Sequence, residues 1–197
     1  RSYQDVRDSE SLMALTLIST HTASASATLD ITSGITSTYD SYEFHMVNMH
    51  PAADASLGFQ VNAAGASGFN EPMTTTFFEA YNQESGATTP ALAYSTGSDQ
   101  VDGDAAYQIV LRAQESDNDA GASGVLTLYA PSSTTYVKHF TSRGVAMHTD
   151  GGTDGNAFAL DEFAAGYINV TAAIDEISFK FSTGNIDAGT IKMFGVS

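Results

Sequence analysis

The stretch Ile177-Ser178-Phe179-Lys180-Phe181 sets apolar side chains at 177, 179 and 181 with polar ones between them. A period of two marks a strand with one buried face, and it does not suit an amphipathic helix. The same alternation returns at Tyr42-Glu43-Phe44-His45-Met46 and at Leu57-Gly58-Phe59-Gln60-Val61, and Val125-Leu126-Thr127-Leu128-Tyr129 reads as a further strand. Turn chemistry separates the runs: Ser33-Gly34, Pro51, Asp117 to Gly121, Pro131 and Ser182-Thr183-Gly184-Asn185. Weaker strand signals lie at Met13 to Ile18, Ala25 to Thr32, Thr74 to Tyr81, Leu92 to Ser95 and Tyr107 to Leu111. Others lie at Tyr136 to Phe140, Ala165 to Val170 and Thr190 to Val196. No long amphipathic helix and no fixed-period repeat is present. The expectation is an all-β chain, an antiparallel β-sandwich, jelly-roll-like, of about ten strands.

Residues 13–197 read as a single sandwich domain, and residues 1–12 as a polar N-terminal arm. Within the arm, Tyr3, Val6 and Arg7 are the candidate subunit contacts. One aromatic, one aliphatic and one cationic side chain suffice for a polar arm to dock on a neighbour. Charge narrows the partners. The chain carries 23 Asp and Glu against 7 Lys and Arg, a net charge of −16, and no basic residue falls between Arg7 and Arg112. Such a surface repels phosphate backbones, so no nucleic-acid partner is expected. No apolar run approaches the about 20 residues of a membrane helix, so no membrane partner is expected either. The absence of Cys excludes disulfides and thiolate metal sites.

Catalytic chemistry has little to stand on. The Gly-x-Ser-x-Gly elbow of serine hydrolases is missing, and the two Gly-Ala-Ser-Gly stretches at 65–68 and 121–124 are ordinary turn formers. Glycoside hydrolysis needs two facing carboxylates, and the spacing selects no pair. His21, His45, His50, His139 and His148 show no zinc-binding interval. No catalytic residue is assigned, and the chain is expected not to be an enzyme. Calcium is the one cofactor with candidate ligands: Asp150, Asp154, Asn156 and Asp161 gather oxygen donors around Gly155. No other cofactor is expected.

Several stretches together carry a family resemblance. They are Met13-Ala14-Leu15-Thr16-Leu17-Ile18, Ser37-Thr38-Tyr39-Asp40-Ser41-Tyr42, Asn48-Met49-His50-Pro51 and Pro131 to Phe140. Ala165-Gly166-Tyr167-Ile168-Asn169, Ser182-Thr183-Gly184-Asn185 and Gly189-Thr190-Ile191-Lys192-Met193-Phe194-Gly195 complete the set. From Met13 onward the chain resembles a family of small β-sandwich structural proteins of tailed, especially marine, bacteriophages. The resemblance implies a virion structural protein on the particle exterior: a capsid decoration protein, a head fibre or a short tail appendage. It implies assembly with copies of itself, with threefold symmetry expected, and with other virion proteins. Two alternatives belong to other classes. One is a carbohydrate-binding receptor-recognition module that meets a host-surface glycan through a patch built from Tyr81, Tyr94, Tyr107 or Tyr129. The other is an extracellular filament subunit that assembles by strand addition.

Overall fold

The computed structural model describes residues 15–101, 105–149 and 157–197. The strands, in chain order, are β1 (Leu15–Ser26), β2 (Leu29–Ile31), β3 (Ser41–Pro51), β4 (Ala55–Ala63), β5 (Met73–Gln83) and β6 (Ala91–Tyr94). They continue with β7 (Gln108–Gln114), β8 (Ala122–Tyr129), β9 (Lys138–Thr149), β10 (Ala157–Ile168), β11 (Ile174–Phe181) and β12 (Ile186–Val196). No helix occurs among the described residues. The strands form two antiparallel sheets, ordered β1-β12-β3-β8-β9-β10-β5-β6 and β2-β11-β4-β7. The fold is a β-sandwich, as the alternation implies.

The connectivity explains the shape. Strands β1, β2, β3 and β4 pair in turn with β12, β11, β8 and β7. The chain is thus one long hairpin whose successive strand pairs fall on alternate sheets, which is the jelly-roll arrangement. Two hairpins, β5–β6 and β9–β10, are inserted into this plan, and both join the larger sheet. They double its width beyond β8 and leave it much broader than its partner.

The inward positions form the core. Phe44, Phe59, Phe140 and Phe179 are fully buried between the sheets. The Phe59 and Phe140 rings meet edge-on at 4.9 Å, and Phe44 lies 5.8 Å from Phe179. Tyr42 is also buried, yet its hydroxyl is satisfied: it receives the Thr36 N–H at 2.8 Å and donates to the Thr36 carbonyl at 2.9 Å. One side chain thereby closes the loop between β2 and β3. Tyr42→Phe keeps the ring and strands both backbone groups of Thr36. A loss of about 1–3 kcal/mol in urea unfolding is expected.

Two differences from the sequence reading concern the strands. Twelve strands form among the described residues, against about ten expected, and β9 and β10 run far beyond the Tyr136–Phe140 and Ala165–Val170 signals. The inward residues of these strands include Ser142, Gly144, Ala146, Ala164 and Gly166, which dilute the apolar alternation. Small residues are needed there because β7 crosses closely above. A Cβ on Gly144 would collide with the buried Leu111 side chain.

Candidate assembly face

Each sheet has an inner face in the core and an outer face, and the two outer faces are treated differently. On the four-stranded sheet, Gln60 and Ser178 point outward by strand alternation, yet both are fully buried. Chain from 71 and from 105 to 107 roofs them. The Gln60 amide donates to the carbonyls of Glu71, Ala105 and Ala106, and its Oε1 accepts the Val61 N–H at 2.8 Å. The Tyr107 hydroxyl donates to Ser178 at 2.9 Å, and the Lys180 ammonium sits 4.1 Å above the Tyr107 ring. The roof is pinned by Gln108, whose Oε1 accepts the Thr75 hydroxyl at 2.6 Å and whose amide donates to the Ser98 carbonyl.

The outer face of the eight-stranded sheet has no such roof among the described residues. Ten large apolar side chains are exposed among the described residues, and eight of them stand on this face: Leu15, Leu17, Val47, Phe78, Leu92, Tyr94, Tyr129 and Val145. Val101 and Tyr136 are the two elsewhere. The exposure is substantial, 53% for Val145 and 70% for Leu92. Concentration of apolar surface on one flat face is the mark of a contact surface; scattered single residues are not.

One residue from each strand makes a continuous row across this face. In order they are Thr20, Lys192, His45, Val125, Arg143, Phe163, Phe78 and Tyr94, each paired with the next in strand register. The Phe78 and Phe163 rings stack in parallel, 4.8 Å apart and 6° from coplanar. Arg143 lies 5.1 Å over the other side of Phe163 and donates to Asp161 through Nε (3.0 Å) and Nη2 (2.9 Å). At the other end, His45 packs 4.6 Å from Phe194 and meets the Glu43 carboxylate at 2.7 Å. Cross-strand stacking of this kind stiffens a sheet and presents ring edges outward.

Charge on the face contrasts with the chain as a whole. Lys192 and Arg143 supply two cations, and Glu43 and Asp161 two carboxylates. The middle rows are thus formally balanced in a protein of net charge −16, while Asp99 beside Tyr94, and Glu84, Asp119 and Asp187 near the strand ends, add carboxylates at the margins.

A second cluster lies beneath this sheet, where β7 crosses β5 and β10. Glu79 and Glu162 face each other in register across β5 and β10. Arg112 clamps Glu79 through Nε (2.8 Å) and Nη2 (2.5 Å), while its backbone N–H donates to Glu162 Oε1 at 2.7 Å. Burial pushes the Glu162 carboxyl up to about 8. A buried carboxyl with a raised pKa beside a second carboxyl invites an acid–base reading. The adjoining cavity of about 350 Å³ is walled by Glu79, Tyr81, Arg112, His148 and Phe158 among others, and Glu162 is not on its wall. A substrate seated there would meet a carboxylate already held at both oxygens by arginine. The His148 ring is engaged as well, with Nδ1 3.0 Å from the Ala113 carbonyl and from Glu115. The pair is therefore read as a packing device between the sheets.

Of the sequence candidates, Tyr3, Val6 and Arg7, and likewise Asp150, Asp154 and Asn156, lie outside the described residues. Asp161 sits within β10, not in a loop, and both its oxygens are taken by Arg143. No three His, Asp or Glu side chains among the described residues are arranged to hold a metal ion. The four tyrosines do not form one patch. Tyr107 lies on the roof of the smaller sheet, and Tyr81 packs beside Phe158 at the cavity under the larger one. Tyr94 and Tyr129 share the outer face but stand in different rows, on β6 and β8. The row was missed in the sequence because its members come from eight strands. The alternation of Phe163 and Phe78 alone shows only that they oppose their inward neighbours. No family model, no curated protein and no solved structure matches this chain.

Proposed function

We propose that this chain is a non-enzymatic structural subunit that works by assembling with copies of itself. The resemblance of its strand and turn stretches to tailed-phage structural proteins supplies the setting, the exterior of a virion. The observation that carries the reading is the unequal treatment of the two sheets. One outer face is roofed by the chain's own loops, and the other is broad, apolar, charge-balanced in its middle rows and uncovered by the described residues. A monomer gains nothing from leaving eight large apolar side chains in water; a subunit buries them on assembly. The edge strands point the same way. β1 runs twelve residues along one margin with Leu15 and Leu17 exposed, and such a margin is safer when covered. An acidic remainder keeps the free subunit soluble.

The test is mass in solution by light scattering. The full chain is expected at a multiple of 20.7 kDa. A single-chain mass at every concentration would overturn self-assembly. A chain starting at Met13 then separates the arm from the face: retained assembly assigns it to the face, and lost assembly to the arm.

A further inference from the structure

We infer that two copies pack through the outer faces of their eight-stranded sheets, about a twofold axis that runs along β8. The inference rests on the self-assembly reading and specifies its geometry. Charge selects the occupant. A basic partner would be drawn to the acidic surfaces elsewhere on the molecule. For a second acidic copy, the charge-balanced middle rows of this face are where mutual repulsion is least.

The position of the axis follows from strand order. A twofold along β8 lays β3 over β9, β12 over β10 and β1 over β5, because these lie at equal distances on either side of β8. Each row then faces its own copy, reversed. Val125 meets Val125 on the axis. Arg143 lies over His45 and beside Glu43, so the cation of β9 finds the carboxylate of β3. Lys192 lies over the ring edge of Phe163 and beside Asp161. Both cations thus meet carboxylates, and the pattern repeats by symmetry. An axis between β8 and β9 would instead set the two Arg143 side chains close together.

The area suffices. Seven overlapping strands about 4.8 Å apart and four rows about 6.8 Å apart give roughly 800 Å² per copy, the size of a standard interface. Aligned packing of two such sheets is a common arrangement.

The chain has no Cys, so a single introduced thiol reports one position. Val125→Cys in the full chain is expected to cross-link to itself with a short bismaleimide, a reagent that spans thiols on sheets packed about 10 Å apart, too far for a direct disulfide. Thr183→Cys, in the exposed turn before β12, is expected to stay uncross-linked. Arg143→Glu should weaken the dimer about tenfold or more, and adding Glu43→Arg should restore it to within a few-fold. Circular dichroism checks that each variant is folded. A dimer mass with Val125 cross-linking and charge-swap rescue supports the pairing. A trimer mass, or an oligomer in which Val125→Cys does not cross-link, overturns this pairing and leaves self-assembly standing. A monomer at every concentration overturns both.

Discussion

Replacing Glu162 with Gln should raise the melting temperature at pH 9 and change it little at pH 4. The carboxyl is fully buried. Its Oε1 accepts the Arg112 N–H, its Oε2 has no hydrogen-bond partner, and Glu79 faces it across the strand pair. The nearest cation cannot rescue it, because the guanidinium of Arg112 is spent on Glu79. Desolvation is the first cause of its raised pKa, and the Glu79 charge adds to it. The carboxyl therefore titrates near 8 in the folded chain and near 4.5 when unfolded. Between those values the folded state holds a proton that the unfolded state has released. Stability from this group is complete below about pH 4.5 and is lost as pH rises through about 8. The gap corresponds to on the order of 5 kcal/mol. Gln keeps the shape and the acceptor for Arg112 and carries no charge at any pH. The difference in melting temperature between variant and parent should widen from pH 5 to about pH 8 and level off above it. A constant difference across that range would show that Glu162 does not titrate as its surroundings dictate.

Lys138→Met should destabilise the fold by about 3 kcal/mol. Lys138 is 1% exposed, and no carboxylate is among its hydrogen-bond partners. Its ammonium donates instead to three carbonyls, of Tyr136 (3.0 Å), Thr171 (2.9 Å) and Val170 (3.3 Å). Burial pulls its pKa below the ordinary lysine value. These carbonyls belong to the loops that enter β9 and leave β10, where the chain crosses from the larger sheet to the smaller. The Ile174 N–H bonds to the Pro131 carbonyl at 2.8 Å in the same place. Met fills similar space and leaves all three carbonyls short of a donor. Thr183→Met, in the exposed turn before β12 and off the proposed contact face, is the control and should cost under about 0.5 kcal/mol. Urea unfolding at neutral pH measures both. Equal costs would mean that Lys138 is as dispensable as a surface residue.

Both groups were poorly legible in the sequence. Glu162 lies in the Ala-rich run Ala157 to Ala165, where neither neighbour announces an inward position. Lys138 sits at the start of a strand, a place where a lysine is ordinarily solvated. What buries them is chain from elsewhere: β7 over Glu162, and the loops at Val170 and Thr171 over Lys138. The strong alternations were easier. Phe44, Phe59 and Phe179 were placed in the core by their spacing, and there they lie.

The sequence by itself determined the class of fold and the inward set in the strongly alternating strands. A pleated strand turns successive side chains to opposite faces, so spacing alone assigns each residue to one of two sides. Only the tertiary structure decided what happens to the outward side. Gln60 and Lys192 are both polar and both outward by alternation, yet one is sealed beneath a loop and the other stands in solvent. Alternation reports the pleat of one strand. Covering its outer face depends on segments that return from far along the chain, as Ala105 and Ala106 do over Gln60.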